Sequence, residues 1–169
     1  GYKWNDEGKL VTVHYVAQIW DEKYETVEAA FASVVDGNTI KVLEDCAWNG
    51  IKAPQWKFTN GLTVDFDGHT YTVDWATVWS AWTETNGFQL LKDNTITFKD
   101  GTITSTKAKI LIQNYSNLTL DNMLLDLNNP GYASAYTLSN NNGDTVIKDT
   151  RINENPAWWF AISKLVTEE

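Results

Sequence analysis

The sequence predicts an all-β fold, a parallel β-helix, on three observations. Short segments rich in Thr, Ile, Val and Leu alternate apolar with polar residues, the segments recur at a near-constant interval, and Asp-Gly or Asp-Asn corners recur within the units. Residues 88–105 (FQLLKDNTITFKDGTITS) and 110–127 (ILIQNYSNLTLDNMLLDL) share one order: three apolar positions, a polar turn, a strand, a corner and a second strand. Residues 136–153 form a third copy with a longer first turn, and FAIS at Phe160 begins a fourth. The starts at 88, 110, 136 and 160 lie 22, 26 and 24 residues apart. Upstream, NTIKVLED (38–45) and GLTVDFDGHTYTVD (61–74) carry the same signature, with Ile40 set against Leu62.

One coil of this length cannot bury its own apolar row, so coils must stack. A β-sandwich also uses short strands between turns. It gives no reason for Asp67-Gly68, Asp100-Gly101 and Asp121-Asn122 to recur at matching places. Alternation assigns Leu62, Val64, Phe66, Ile96, Phe98, Ile103, Leu118, Leu120, Val146 and Ile152 to the interior.

The N-terminal part differs. LVTVHYVAQI reads as a strand that either pairs with the first coil or belongs to a preceding module. YETVEAAFASVVDGNT then places Val27, Ala30, Phe31 and Val34 at helical spacing, with Gly37 at a C′ position. An amphipathic helix here would close the open end of a solenoid, where core and strand edges are otherwise exposed.

The whole chain has 169 residues and 43% hydrophobic content, enough for one domain with a sizeable core. Its net charge is −9 and Arg151 is its single arginine, which argues against nucleic acid and against an anionic membrane surface. No run reaches the length of a membrane span and no signal peptide is legible. The abrupt ends, GYKWNDEGK and KLVTEE, read as those of a piece of a longer protein. Cys46 is the only cysteine, which rules out an internal disulfide and reads as a buried, inert thiol.

The stretch VAQIWDEKYETVEAAFASVVDGNTIKVLED resembles the opening of right-handed β-helix modules of pectate-lyase-like fold, found in large bacterial surface and secreted proteins. Those modules run through a strand, a turn, a tyrosine-bearing segment and a helix into a D-G-[DN]-T-I strand, here Asp36 to Ile40; LTVDFDGHTYTVD is similar to a later corner of theirs. The resemblance covers about residues 15 to 165. It implies a right-handed parallel β-helix solenoid of about five coils with a capping helix near 25–35. Residues 1–20 form an N-terminal strand or linker segment, and 21–169 the β-helix domain. It also implies an extracellular or cell-surface location. Two turns depart from the family pattern: Trp20-Asp21 stands where relatives carry Gly-Asp, and Pro54-Gln55-Trp56-Lys57 where they carry Pro-x-Gly-Lys.

Enzymes of this resemblance cleave acidic polysaccharides with a calcium cradle and a basic residue, or with clustered aspartates. The best local candidate is Asp65-x-Asp67-x-His69, three polar groups on one outward strand face, with Asp100 and Asp121 expected to stack near Asp67. Corner aspartates that bond their own backbone explain the same residues without chemistry. No residue is assigned as catalytic and no metal or cofactor is expected; Arg151 has no aspartate cluster, and His14 has no metal partner in sequence. The sequons at Asn114 and Asn117 read as the polar side of a coil. The expected function is a non-catalytic surface module, a stalk, adhesin segment or binder of polysaccharide or cell-surface glycan. The alternative is a partial or degenerate polysaccharide lyase or hydrolase.

Nine tryptophans in this length are an excess, and Trp20, Trp48, Trp56, Trp75, Trp79, Trp82, Trp158 and Trp159 all fall where turns or loops are expected. Trp and Gly codons differ by one base, and UGA is read as glycine in some bacterial lineages and as tryptophan in others. The first explanation is therefore recoded glycine positions. The second is a short helix that presents Trp75, Trp79 and Trp82, spaced i, i+4, i+7, as one packed stripe. The third is a set of exposed indoles that stack on sugar rings, with Trp75, Trp79, Trp82, Asp65, Asp67 and His69 as the ligand-binding candidates.

Overall fold

The predicted alternation produces a parallel β-solenoid of about four turns in the computed structural model. The structure describes residues 1–80, 83–131, 135–154 and 162–164. Each coil contributes to three faces. The first face stacks Thr39–Val42, Leu62–Asp65, the N-terminal halves of Thr95–Ser105 and Asn117–Leu127, and Thr145–Lys148. A second face stacks Cys46–Trp48, Thr70–Val73, the C-terminal halves of the same two long strands, and Arg151–Asn153. The third stacks Ile51–Ala53, Thr83–Leu90, Ile110–Asn114, Tyr136–Asn140 and Ile162–Lys164.

All pairings along these stacks are parallel, and the inward residues form continuous rows. Leu62, Val64, Phe66, Ile96, Phe98, Ile103, Leu118 and Leu120 are fully buried as expected. Ile152 is half-buried against the core. Val146 is not inward by register: it pairs with the outward Thr119, while Ile147 continues the row of Leu120, and both are 44% exposed. The expected phase was wrong by one residue there, and a slip of one turns every side chain to the other face. Two other pairings shift by two, which preserves the face: Ile40 lies on Val64 rather than Leu62, and Phe88 on Ile112 rather than Ile110.

The first corner has a fixed backbone solution. Asp67, Asp100, Asn122 and Asp149 all have positive φ (50°, 57°, 53° and 45°). This left-handed conformation excludes most L-residues and tolerates Asp and Asn, whose short polar side chains bond locally. Asn122, rather than Asp121, continues the corner, because Lys99 pairs with Asp121. Gly101 follows Asp100 beneath the preceding coil, where an added Cβ would lie 2.3 Å from Phe66 Cβ and 2.6 Å from the His69 carbonyl oxygen.

The helix spans Val27–Ser33, with Thr26 as N-cap accepting the Ala29 N–H at 3.0 Å. Val27, Ala30, Phe31 and Val34 are buried as the spacing predicts. The helix ends at Val34 with extended backbone, so Gly37 is not its C′ residue; with φ 88° it turns the chain into the first coil. Phe31 keys the helix into the core through ring contacts with Phe58 and Phe88, each at 6.4 Å between centroids. Phe88 in turn meets Tyr71 and Phe98 edge-on. Lys57 Nζ donates to the Phe31 and Ala32 carbonyls at 2.7 and 3.3 Å, which satisfies the helix C-terminus.

The N-terminal segment divides in two. Tyr2–Trp4 and Leu10–Thr12 form a separate antiparallel hairpin, and Ala17–Ile19 joins the first coil antiparallel to Thr39–Val42.

Gly101→Ala is expected to lower stability by at least about 1–3 kcal/mol, because the clash falls on backbone that cannot rotate away. Chemical denaturation of the two proteins checks this.

Candidate functional site

Two outward regions carry the polar and aromatic residues that sequence reasoning singled out. The first is the outer surface of the first face. Register places Lys41, Asp65, Lys99, Asp121 and Lys148 in one column, so that charge alternates from coil to coil. Lys99 Nζ lies 2.9 Å from both Asp65 and Asp100, Lys41 Nζ lies 3.0 Å from Asp67, and Lys148 Nζ lies 4.0 Å from Asp121. Asp65 and Asp100 raise the pKa of Lys99 by hydrogen bonding to its ammonium. Asp100 is held below the usual aspartate range by the Asn122 amide and then by Lys99.

Asp65, Asp67 and His69 do not share one strand face. The strand ends at Asp65, whose Oδ1 accepts the Asp67 N–H at 2.9 Å; Asp67 is the left-handed corner, and His69 lies beyond it. Each has a different partner: Lys99, Lys41 and, for His69 at 3.4 Å, Asp45. Asp100 joins Asp67 in the corner column, whereas Asp121 stands in the neighbouring column on Lys99. The aspartates are thus spread over two columns interleaved with lysines. Among the described residues no group of three or more His, Cys, Asp or Glu could hold a metal.

The second region surrounds the helix. A cleft of about 490 Å³ opens between the helix and the third face, lined in part by Glu28, Ile51, Lys52, Lys57 and Val78. At its rim Glu28 Oε2 accepts from Trp48 Nε1 at 3.0 Å and from Asn49 Nδ2 at 3.2 Å. Trp75 is 61% exposed and stacks on Trp48, with centroids 5.0 Å apart and planes tilted by 33°. This cluster was invisible in sequence because helix docking alone brings Glu28 to Trp48.

The helical stripe is corrected: Trp75 lies in a bend, and Trp79 lies on the strand Val78–Ser80, antiparallel to Thr83–Leu90. Trp79 is exposed. Trp48 also departs from expectation, since it ends a strand of the second face, opposite Val73, and packs on the core. Trp82, Trp158 and Trp159 lie outside the described residues, as does the fourth repeat start at Phe160.

Two further residues differ in detail. Asn114 is buried rather than on a wet face; its Nδ2 donates to Asn140 Oδ1 at 2.8 Å and its Oδ1 accepts the Ser116 N–H at 2.9 Å. Cys46 is half-buried, and burial, with Glu44 and Asp45 nearby, pushes its thiol up to about 11. It stays protonated and unreactive at neutral pH.

Comparison with protein-family models, with curated proteins and with solved structures gives no match.

The depressed Asp100 has a testable consequence. Its contribution is complete above the unfolded aspartate value of about 4 and is lost as pH falls through the lower folded value. Asp100→Asn should therefore flatten the loss of stability as pH falls below about 4, as read from urea midpoints.

Proposed function

We propose that the chain is a non-catalytic β-helix module of a bacterial cell-surface or secreted protein, acting outside the cell as a stalk or adhesin segment. One observation carries this reading: the outward carboxylates already have cationic partners within the fold. Lys99 bridges Asp65 and Asp100, and Lys41 pairs with Asp67. A calcium-dependent lyase needs carboxylate oxygens free to converge on the ion, and here ammonium groups fill that space. A hydrolase needs a carboxyl kept protonated beside an ionised one, whereas Asp100 is pushed the other way. The resemblance over residues 15 to 165, the extended solenoid and the alternating column all suit a rigid spacer.

A second reading, contact with a polysaccharide or cell-surface glycan, is favoured by one feature. Trp75 offers an exposed indole face, braced from behind by Trp48, beside an open cleft. Such a face suits the apolar side of a sugar ring, and Lys52 at the cleft adds a charge for an acidic sugar.

Incubation with pectin-type and other acidic polysaccharides, with and without calcium, is expected to release neither unsaturated sugars nor new reducing ends. Release that disappears in Asp65→Ala or Asp67→Ala would overturn the non-catalytic reading. Retention on a polysaccharide array that disappears in Trp75→Ala would establish the glycan contact.

A further inference from the structure

Two of the exposed tryptophans sit on backbone that their side chains disfavour. Ile19 pairs with Glu22 across the first hairpin, so the loop is Trp20-Asp21 alone. Trp20 has φ 53°, and Asp21 is not among the residues with positive φ. A two-residue hairpin loop with positive φ only at its first residue is a type II′ turn, whose first position belongs to glycine. In the second case the Lys57 N–H donates to the Pro54 carbonyl at 3.4 Å, which closes a four-residue turn. Trp56 occupies its third position with φ 61°, the pattern of a type II turn, where glycine is again required.

The other left-handed residues underline the contrast. Among the described residues, eight non-glycine residues have positive φ; five are Asp or Asn, which tolerate this region, and the remaining three are Thr85, Trp20 and Trp56. An indole has no local bond to offer the backbone, and its bulk aggravates the strain. Burial offers no compensation either, because Trp20 is 77% and Trp56 68% exposed. Trp48 behaves differently, since it is hydrogen-bonded, core-packed and free of positive φ.

We infer that positions 20 and 56 are glycine positions of this fold, and that cells carrying the gene insert glycine there at a codon read here as tryptophan. Both turns are also the places where the chain departs from the glycine-bearing pattern it otherwise resembles. The inference concerns the identity of the residues and is independent of what the module binds.

Thermal melts of the full chain test the backbone half of the inference. Trp20→Gly and Trp56→Gly should each raise Tm by about 2–4 °C, whereas Trp20→Ala and Trp56→Ala should recover little, since alanine keeps a Cβ in the left-handed region. Trp48→Gly should lower Tm. If alanine raises Tm as much as glycine, the gain comes from removing an exposed indole and the inference fails. It also fails if both glycine variants melt lower than the parent. Peptide mass spectrometry of the protein isolated from cells that carry the gene tests the decoding half. Glycine at 20 and 56 supports it, and tryptophan at both positions overturns it.

Discussion

The solenoid depends on one backbone constraint, the left-handed residue at the first corner of each coil after the first. Thr95–Ser105 and Asn117–Leu127 are each continuous strands of 11 residues, and each serves two faces. The change of direction comes at Asp100 and Asn122, and without it the two halves could not both turn apolar residues inward. Each such residue costs an ordinary L-amino acid about 1–2 kcal/mol, which is why Asp and Asn gather there. The outward carboxylates are therefore placed first by geometry. Lysines stand between them on alternate coils.

A second dependence lies at the N-terminal end. Phe31 reaches from the helix into a chain of ring contacts that runs through Phe88 and Phe98 to Phe66, linking the cap to the middle of the stack. Asp36, just after the helix, accepts the Asn60 and Gly61 N–H groups at about 3.0 Å and so holds the cap to the following coil. The cleft beside the helix exists because this docking brings Glu28 and Lys57 up to the third face. Lys57 is no free cation for a ligand, since the helix carbonyls hold it and burial lowers its pKa.

What could be read from sequence follows from which periods the physics enforces. Strand alternation has a period of two, so inward residues such as Val64 and Phe98 were legible even where the coil-to-coil offset was misjudged by two. Val146 failed because the chain from Asn140 to Thr145 is one residue longer than the stretch from Asn114 to Leu118 on which it stacks, which shifts the phase by one, and composition gives no mark of that shift. The tryptophans at 75, 79 and 82 matched helical spacing equally well, but strand pairing with Thr83–Leu90 decides the conformation around Trp79. Contacts such as Glu28 with Trp48 depend on how a helix docks, and no local pattern encodes them. The strained turns at Trp20 and Trp56 were legible as departures from a pattern, while their dihedral angles required the fold.

The alternating column of Lys41, Asp65, Lys99, Asp121 and Lys148 also works as a check on assembly order. A stack that skipped a coil would still cover one apolar row with another. In this column a skip brings Lys41 opposite Lys99, or Asp65 opposite Asp121. Like charges placed directly across a ladder cost up to about 1 kcal/mol, whereas the correct order meets opposite charge at every step. The column thus acts as a parity code: adjacent coils attract and next-but-one coils repel, which favours the in-sequence stack.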